Sequence, residues 1–386
     1  MRNETPYLPQ EIVRNILVRL PVKSLIRFQC VCQDWKNLFK TPCFIAEHRH
    51  HSTQQNSLLV TDCYISKCIA DTWHLSILNR EMQFLEFRNP PIADTFGPLW
   101  RTIHSSNGLL CLDLIITNGP YNSFMLWNPA IREVRQVPHF INDSEKSDDS
   151  SVGFGFSPVV NDYKIVKLSL LDRMVVEVEV YALRTGFWRK VKLGNLEVTT
   201  IKSDHGFPCN GSIFWYGLKE YDRIDVIVSF DIAIEVFTLI PFPTESLAFE
   251  LSPFRLTMYD NKLALVSAIR NNESSLFIEL WLIEECTNEP REGWIWTKIY
   301  TSRSCPCWSL SPMIIWRNEI VCSVHAMHEM PFGSEMKNDE AKVLLCNLTT
   351  NEFNMFAFPT KCDFTNRLLD YAESLVPLSN IKIEGQ

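Results

Sequence analysis

Residues 8–44 read LPQEIVRNILVRLPVKSLIRFQCVCQDWKNLFKTPCF, a run in which apolar residues recur at helical spacing. Pro9 and Glu11 favour a helix start, because proline is tolerated in the first turn and acidic residues suit a helix N-terminus. Pro21 ends this helix, and two further short helices are predicted before Pro42 closes the unit. Three short helices in about 40 residues build only a marginal core, so part of their apolar surface is expected to be buried against another protein.

The three predicted helices share an inward-facing set of apolar positions. These positions are Ile12, Val13, Ile16, Leu17, Leu20, Leu25, Phe28, Val31, Trp35, Leu38 and Phe39. Cys30 and Cys32 are expected in the same core, where a free cysteine behaves as a small hydrophobic side chain. The spacing alone is equally compatible with a helical cap packed within the chain and with a face offered to a partner.

The pattern LPxEIxxxILxRLPVKSLxRFxCVCxxWxxLF resembles the F-box, particularly its plant form, over residues 7–44. The resemblance implies docking onto the Skp-type linker subunit of a Skp–cullin–F-box ubiquitin ligase, and through that linker onto a cullin–RING assembly. It implies that the linker-binding surface or its immediate support consists of Leu8, Pro9, Ile12, Ile16, Leu17, Leu20, Pro21 and Leu25. Gln33-Asp34 stands where Lys-Ser is common in the family, which leaves those positions unaffected.

From about residue 55 the apolar residues occur in short strand-like runs separated by Asn, Asp, Gly and Pro. Two markers repeat at steps near 50 residues. The first is an asparagine at a turn before a strand, found at Asn56, Asn107, Asn161, Asn210, Asn261 and Asn318. The second is the turn residue of a following hairpin, found at Asn79, Asn128, Ala182, Asp231, Leu282 and Asn347. This period, with about four strands in each unit, is typical of kelch-type propeller blades.

Six repeat units predict a six-bladed β-propeller, with the apolar run Tyr371–Pro377 returning to the first blade to close the ring. The alternative is a pair of β-sandwiches or another many-stranded fold. The expected fold class is therefore α+β multidomain, a small three-helix F-box followed by an all-β propeller. The expected boundaries are an F-box domain at 1–46, a linker at 47–55, the propeller at 56–379 and a flexible tail at 380–386.

The order of several segments also resembles the F-box-associated domain of plant F-box proteins, over about 300 residues. The supporting segments are LWNPAIREVRQVP, VGFGFSPVVNDYKIVKL, VEVYALRTGFWRKV, GSIFWYG, SFDIAIEVFTLIPFP, WTKIY and YAESLVP. The chain is similar as well to the S-locus F-box proteins of pollen, whose implied targets are pistil ribonucleases. The resemblance implies a non-catalytic adaptor that presents a protein substrate for ubiquitination.

Composition sets further bounds. The net charge is -8 and lysine and arginine are not clustered, which argues against a nucleic-acid partner. No run of about 18 apolar residues exists, so no membrane span is expected. The 13 cysteines are odd in number and irregularly spaced, which favours free thiols in the cytoplasm, the nucleus or both.

No enzymatic or metal-binding motif stands out. Zinc sites favour Cys-x2-Cys pairs, whereas the close pairs here are Cys30-Val-Cys32 and Cys305-Pro-Cys307. His48, His50 and His51 are interpreted as part of a solvated linker rather than as metal ligands. No cofactor is expected. The alternative function is a propeller enzyme or a carbohydrate-binding protein that carries a non-functional F-box.

Two polar loops, Asn142–Ser151 and Gly333–Lys342, are candidates for the target-binding surface, because propellers bind partners through inter-strand loops. Both carry mostly acidic charge, which predicts an acidic rim that prefers a basic protein target. The residues concerned are Asp143, Glu145, Asp148, Asp149, Glu335, Asp339 and Glu340. The alternative is that both loops are solvated and bind nothing.

Overall fold

The structure is a computed structural model in which fifteen segments of the chain are described. They are residues 8–55, 58–65, 72–79, 81–90, 100–114, 123–138, 149–196, 199–219, 224–243, 253–271, 274–286, 293–324, 342–357, 363–364 and 367–378.

Four α-helices open the described chain: α1 (Gln10–Leu17), α2 (Val22–Phe28), α3 (Gln33–Leu38) and α4 (Pro42–Gln55). The first three confirm the predicted trio. The prediction that Pro42 closes the unit and that residues 47–55 form a linker was wrong, because Pro42 is the first residue of α4. The Thr41 hydroxyl accepts a hydrogen bond from the Phe44 amide at 3.3 Å, which caps this helix, and proline fits a first turn.

The helices enclose a small core of Leu17, Val18, Val22, Leu25, Phe39 and Phe44, onto which Leu375 from the far end of the chain also packs. The predicted inward placement of Val31, Cys30 and Cys32 was wrong, since all three are exposed. Helix α2 ends at Phe28, so helical spacing does not extend to these residues.

The remaining described elements are a short 3-10 helix at Gly194–Leu196 and twenty-six strands. The strands are β1 (Leu58–Ile65), β2 (Thr72–Leu78), β3 (Phe84–Arg88), β4 (Trp100–Ser106), β5 (Leu109–Leu114), β6 (Ser123–Asn128), β7 (Glu133–Gln136), β8 (Asp149–Ser157), β9 (Asp162–Leu171), β10 (Met174–Ala182), β11 (Phe187–Val191), β12 (Thr199–Ile201), β13 (Phe207–Cys209), β14 (Ser212–Lys219), β15 (Ile224–Asp231), β16 (Phe237–Pro241), β17 (Phe254–Tyr259), β18 (Lys262–Arg270), β19 (Leu276–Cys286), β20 (Gly293–Thr301), β21 (Leu310–Trp316), β22 (Glu319–Val324), β23 (Lys342–Asn347), β24 (Phe353–Ala357), β25 (Asp363–Phe364) and β26 (Leu369–Tyr371).

These strands form five antiparallel sheets that build an all-β propeller. Strands β4–β7, β17–β20 and β21–β24 each form a four-stranded sheet, and β1–β3 with β25 and β26 form a five-stranded one. Strands β8–β16 form one nine-stranded sheet, so the prediction of six separate blades was wrong. The short strand β12 pairs with both β10 and β14 and thereby joins what the repeat predicted as two units.

Closure of the propeller follows the prediction. Strand β26, which ends at Tyr371, pairs antiparallel with β1, so the end of the chain returns to the first sheet. The residues after it reach the neighbouring sheet, where the buried Asn128 side chain donates hydrogen bonds to the carbonyls of Ser374 at 3.0 Å and Val376 at 2.9 Å. The C-terminal part of the described chain is thus hydrogen-bonded both to the first sheet and to the sheet beside it.

The repeated asparagines have a backbone cause. The five that are described have positive φ angles: Asn107 (50°), Asn161 (48°), Asn210 (46°), Asn261 (57°) and Asn318 (67°). Asparagine tolerates this left-handed region better than most residues, and two-residue hairpin turns of the favoured type require it. Asn56, the first marker, lies outside the described residues.

Candidate functional site: two ends of the propeller

The N-terminal helices carry an exposed apolar surface on α1 and its flanking prolines. Leu8 is 55% exposed, Ile12 48% and Ile16 49%, values that are high for large aliphatic side chains. Pro9 and Pro21 are also exposed. We call these five residues the docking face.

The eight predicted linker-binding residues therefore divide into two groups. Five form the docking face, whereas Leu17 and Leu25 are buried in the helical core and Leu20 is half-buried against it. Leu17 and Leu25 cannot touch a partner while the helices stay folded, so they support the surface instead of forming it.

Helix α4 braces α1 from the side away from the docking face. Arg14 of α1 donates to the Glu47 carboxylate through Nε at 3.0 Å and through Nη2 at 2.7 Å. His48 lies at 2.9 Å from the Leu20 carbonyl through Nε2 and stacks on the Phe44 ring. These contacts fix the orientation of α1.

The prediction that His48 belongs to a solvated linker was wrong, because its side chain is 1% exposed. Burial is the main reason that its pKa is lowered from the ordinary value of 6.5, since the charged imidazolium is disfavoured away from water. The neutral ring donates from Nε2 to the Leu20 carbonyl. No motif in the sequence distinguishes this buried histidine from the exposed His50 beside it.

The helices pack directly on the propeller. Ala130 and Ile131, in the turn between β6 and β7, contact the helical core together with Leu375. The Arg49 guanidinium of α4 lies 5.0 Å from the centre of the Phe156 ring. These contacts occupy one end of the propeller.

Two cavities lie one behind the other along a set of strands that includes β17, β21 and β26 and that we call the inner strands. The first, of about 320 Å³, is lined by Arg49 of α4 and by turn residues such as Asn107 and Asn210; we call it the proximal cavity. The second, of about 250 Å³, is lined by His205, Arg255 and Arg367 among others; we call it the distal cavity.

The inner strands run in a common direction between these cavities. In β17, Arg255 and Leu256 line the distal cavity, and the later residues Thr257 and Met258 line the proximal one. Strands β21 and β26 are divided in the same order. The turn that follows an inner strand thus lies at the end of the propeller that carries the helices. The next connection along the chain begins at the opposite end.

Of the candidate acidic loops, the described part is limited to the flanking strand ends, residues 149–151 of β8 and Lys342 of β23. Asp149 is described, and its carboxylate pairs with Arg173 at 3.3 Å, which neutralises it locally. Asp143, Glu145, Asp148, Glu335, Asp339 and Glu340 lie outside the described residues. Arg173 also pairs with Asp204 at 3.3 Å.

Basic side chains dominate the distal cavity, and sequence reasoning missed them. Arg255 on β17, Arg367 before β26 and Lys202 after β12 come from widely separated segments, so no motif marks them. The pKa of His205 is lowered to about 2, mainly by burial and in smaller part by nearby charges, the largest of which is that of Arg367. Burial likewise lowers the pKa of His104 to about 3.

Acid is expected to destabilise the protein through these buried rings. His48, His104 and His205 all have depressed pKa values, so the unfolded chain binds more protons than the folded chain below about pH 6.5. Their contribution is fully present above that pH and is lost as the pH falls toward the folded values. We expect the melting temperature to drop between about pH 7 and pH 5, and His104→Gln to flatten that dependence. His50→Gln, at an exposed site, is the control, and an unchanged slope in His104→Gln would contradict this account.

The described residues contain no group of three or more His, Cys, Asp or Glu side chains suited to hold a metal ion. Cys305 and Cys307 are buried in a core shared with Cys322 and Cys346. Burial raises the pKa of the Cys305 thiol to about 11, so it stays protonated at neutral pH. Within the same described segments, no helix is long and apolar enough to cross a membrane.

Comparison with known protein families agrees with this architecture. The model of the F-box associated beta propeller domain matches residues 80–372, and that of the F-box domain matches residues 6–46. The chain therefore belongs to the F-box associated beta propeller family, with an F-box domain at its N-terminal end.

Curated relatives of the chain are named as F-box proteins. An F-box/kelch-repeat protein of Arabidopsis thaliana is 28% identical over 247 residues, which cover 61% of this chain and 65% of that protein. The F-box protein CPR1 of the same plant is 24% identical over 327 residues, 76% of this chain and 72% of that protein. The chain thus spans just under two thirds of the first relative.

Solved structures resemble the chain only distantly. TolB from Acinetobacter baumannii has a TM-score of 0.48 at 10% identity and covers 86% of this chain and 73% of its own. The lectin of Aleuria aurantia has a TM-score of 0.38 at 8% identity, with coverages of 79% and 96%. At these scores the likeness carries no argument.

Proposed function

We propose that this protein is the substrate-recognition adaptor of a Skp–cullin–F-box ubiquitin ligase. The observation that carries the proposal is the docking face, an exposed apolar surface on helices that match the F-box domain. The protein itself is non-catalytic in this role. Other subunits supply the chemistry of ubiquitin transfer.

The docking face offers exposed apolar area that a Skp-type linker protein would bury. Burying a fully exposed large aliphatic side chain contributes about 1.5–3 kcal/mol. Leu8, Ile12 and Ile16 are each about half exposed, so each can contribute about half of that free energy. Together with the two prolines, they offset part of the entropic cost of association. The bracing of α1 by α4 adds affinity because the surface is already ordered before binding.

The target is proposed to bind at the distal end of the propeller. The helices lie at the end of the propeller next to the proximal cavity. A partner bound to the helices and a target bound at the end next to the distal cavity therefore do not compete. The adaptor then raises the effective concentration of the target near the conjugating enzyme.

A narrower version places the protein with the pollen S-locus F-box proteins acting on pistil ribonucleases. It rests on the order of the sequence segments, and a pull-down with purified pistil ribonucleases tests it. A cytoplasmic or nuclear location is supported by the nine free cysteines among the described residues, since such thiols persist in a reducing compartment. Imaging of a fluorescent fusion tests the location.

Co-purification with a Skp-type linker protein tests the adaptor role. The wild-type chain is expected to form a stable complex, and the double variant Leu8→Ala, Pro9→Ala to lose it because two contacts at the edge of the docking face are removed. Leu171→Ala, a similarly exposed aliphatic on the propeller, is the matched control. A folded wild-type chain that fails to bind would refute the proposal and turn attention to ligand screening of the propeller.

A further inference from the structure

A groove runs between helix α2 and the propeller, and we call it the helix–propeller groove. Its volume is about 670 Å³, which leaves room for several side chains of a bound segment. One wall is formed by residues of α2. The opposite wall is formed by β3, by the turn between β6 and β7, and by the segment that follows β26.

Basic side chains outnumber carboxylates among the described residues that line this groove. The cations are Lys23, Arg27, Arg88 and Arg132, and the carboxylates are Glu86 and Glu373. Arg88 serves both carboxylates, since its Nη2 lies 2.8 Å from Glu86 and 3.9 Å from Glu373. Four cations therefore face two carboxylates.

The excess charge is clearest at Arg27 and Arg132, which lie on opposite walls and are both exposed. Neither guanidinium hydrogen-bonds or forms an ion pair with a residue that the structure describes. The pKa of Glu86 is lowered, first by its hydrogen bond from Arg88 and also by the charges of Arg88, Lys23 and Arg132. The groove is thus a positively charged region of a chain whose net charge is -8.

The two walls are held against each other where α2 begins. Burial raises the pKa of the Glu373 carboxyl, whereas the charge of Arg88 and the amide of Val22, the first residue of α2, oppose this rise. Arg88 also donates from Nη1 to the Pro129 carbonyl at 3.2 Å. Because the walls are already ordered, a bound segment pays little for assembling them.

The groove continues the docking face. Pro21 belongs to the docking face and immediately precedes α2, and Lys23 and Ile26 of that helix line the groove. Ile26 is 37% exposed, so an apolar contact is available beside the cations. A protein that covers Pro21 therefore lies within about one helical turn, about 5 Å, of the groove.

We propose that an acidic segment of the Skp-type linker protein occupies the helix–propeller groove, so that the linker contacts the propeller as well as the helices. The excess of cations favours a segment that carries carboxylates. The continuity with the docking face favours the linker over the target as the source of that segment. This inference rests on the proposed adaptor function and deepens it.

Surface plasmon resonance of the full chain against immobilised linker protein tests the groove. We expect the double variant Arg27→Gln, Arg132→Gln to bind about three- to twentyfold more weakly at low ionic strength, mainly through slower association. At about 1 M salt the difference should fall below about twofold, because the Debye length is then about 3 Å.

The double variant Lys192→Gln, Lys202→Gln is the matched control, since it removes two positive charges from exposed positions outside the groove. Its affinity for the linker is expected to equal that of the wild-type chain. Equal affinities of the two double variants at low ionic strength would overturn the proposal.

Carbodiimide coupling of the complex locates the acidic segment. The reagent joins an amine to a carboxylate that lies against it, so Lys23 is expected to couple to an aspartate or glutamate of the linker protein, identified by mass spectrometry. Lys23→Arg keeps the positive charge without the amine, so it should bind normally and lose this product. Coupling of Lys23 to carboxylates of its own chain alone, in an intact complex, would contradict the proposal.

Failure of this inference and failure of the adaptor role give different results. A folded wild-type chain that does not bind the linker overturns the adaptor role and the groove together. Linker binding that is unchanged by Arg27→Gln, Arg132→Gln at low ionic strength overturns the groove alone, and this is also the result expected if a segment of the target occupies it.

Discussion

Replacing Ile12 and Ile16 together with aspartate is expected to abolish binding to a Skp-type linker protein, with an affinity loss of at least about a hundredfold. Both side chains lie on the exposed side of α1, about half exposed, and neither belongs to the helical core. In the complex each carboxylate would be buried in an apolar interface without a partner, which costs several kcal/mol. Surface plasmon resonance with immobilised linker protein measures the effect.

The matched control is the double variant Leu171→Asp, Val176→Asp. These residues are 56% and 45% exposed on the propeller, so the change in charge and hydropathy is the same. Linker binding should be unaffected. Equal losses in the two double variants would mean that net charge rather than the docking face controls binding.

Asn128→Ala is expected to lower the free energy of unfolding by about 3–5 kcal/mol, because it removes one buried and two part-buried hydrogen bonds. The Asn128 side chain is fully buried. Its Nδ2 donates to the Ser374 and Val376 carbonyls, and its Oδ1 accepts from the Ala130 amide at 3.1 Å. The substitution leaves two carbonyls and one amide without partners.

The same substitution is expected to loosen the helices from the propeller. Ala130 and Leu375, which pack on the helical core, are both positioned by the segments that Asn128 ties together. Urea unfolding measures the stability, and limited proteolysis between residues 46 and 58 measures the release of the helices.

Asn347→Ala supplies the control, since Asn347 occupies the corresponding place in another repeat. Its Oδ1 accepts from the Thr349 and Thr350 amides at 2.9 Å, and these contacts are exposed to solvent. We expect a loss of about 1 kcal/mol or less. Equal losses at the two positions would show that the turn, and not the tie to the end of the chain, determines the effect.

The features that the sequence predicted well are those with local causes. The first three helices follow from helical spacing and two prolines. The asparagine repeat follows from the left-handed backbone of a turn between two strands, which is why nearly constant steps separate Asn107, Asn161, Asn210, Asn261 and Asn318. A conformational requirement that recurs in each repeat unit produces a periodic sequence pattern, which can be recognised in a single sequence.

The features that were missed depend on contacts between distant segments. Val31 and Cys32 are exposed because α2 stops at Phe28, and His48 is buried because it lies on α4, which begins at Pro42. Strand β12 joins two units through only three residues, too few for its pairing with distant strands to be read from a sequence pattern. The distal cavity collects basic residues from separate strands, so its charge is invisible in a chain whose net charge is -8.

Amide hydrogen exchange of the full chain, free and bound to a Skp-type linker protein, tests the central claim most directly. The adaptor account predicts new protection in residues 8–21, where the docking face lies, and unchanged exchange in the strand segments that line the distal cavity, which stay available to a target. Protection at the distal cavity with none in residues 8–21 would contradict the account.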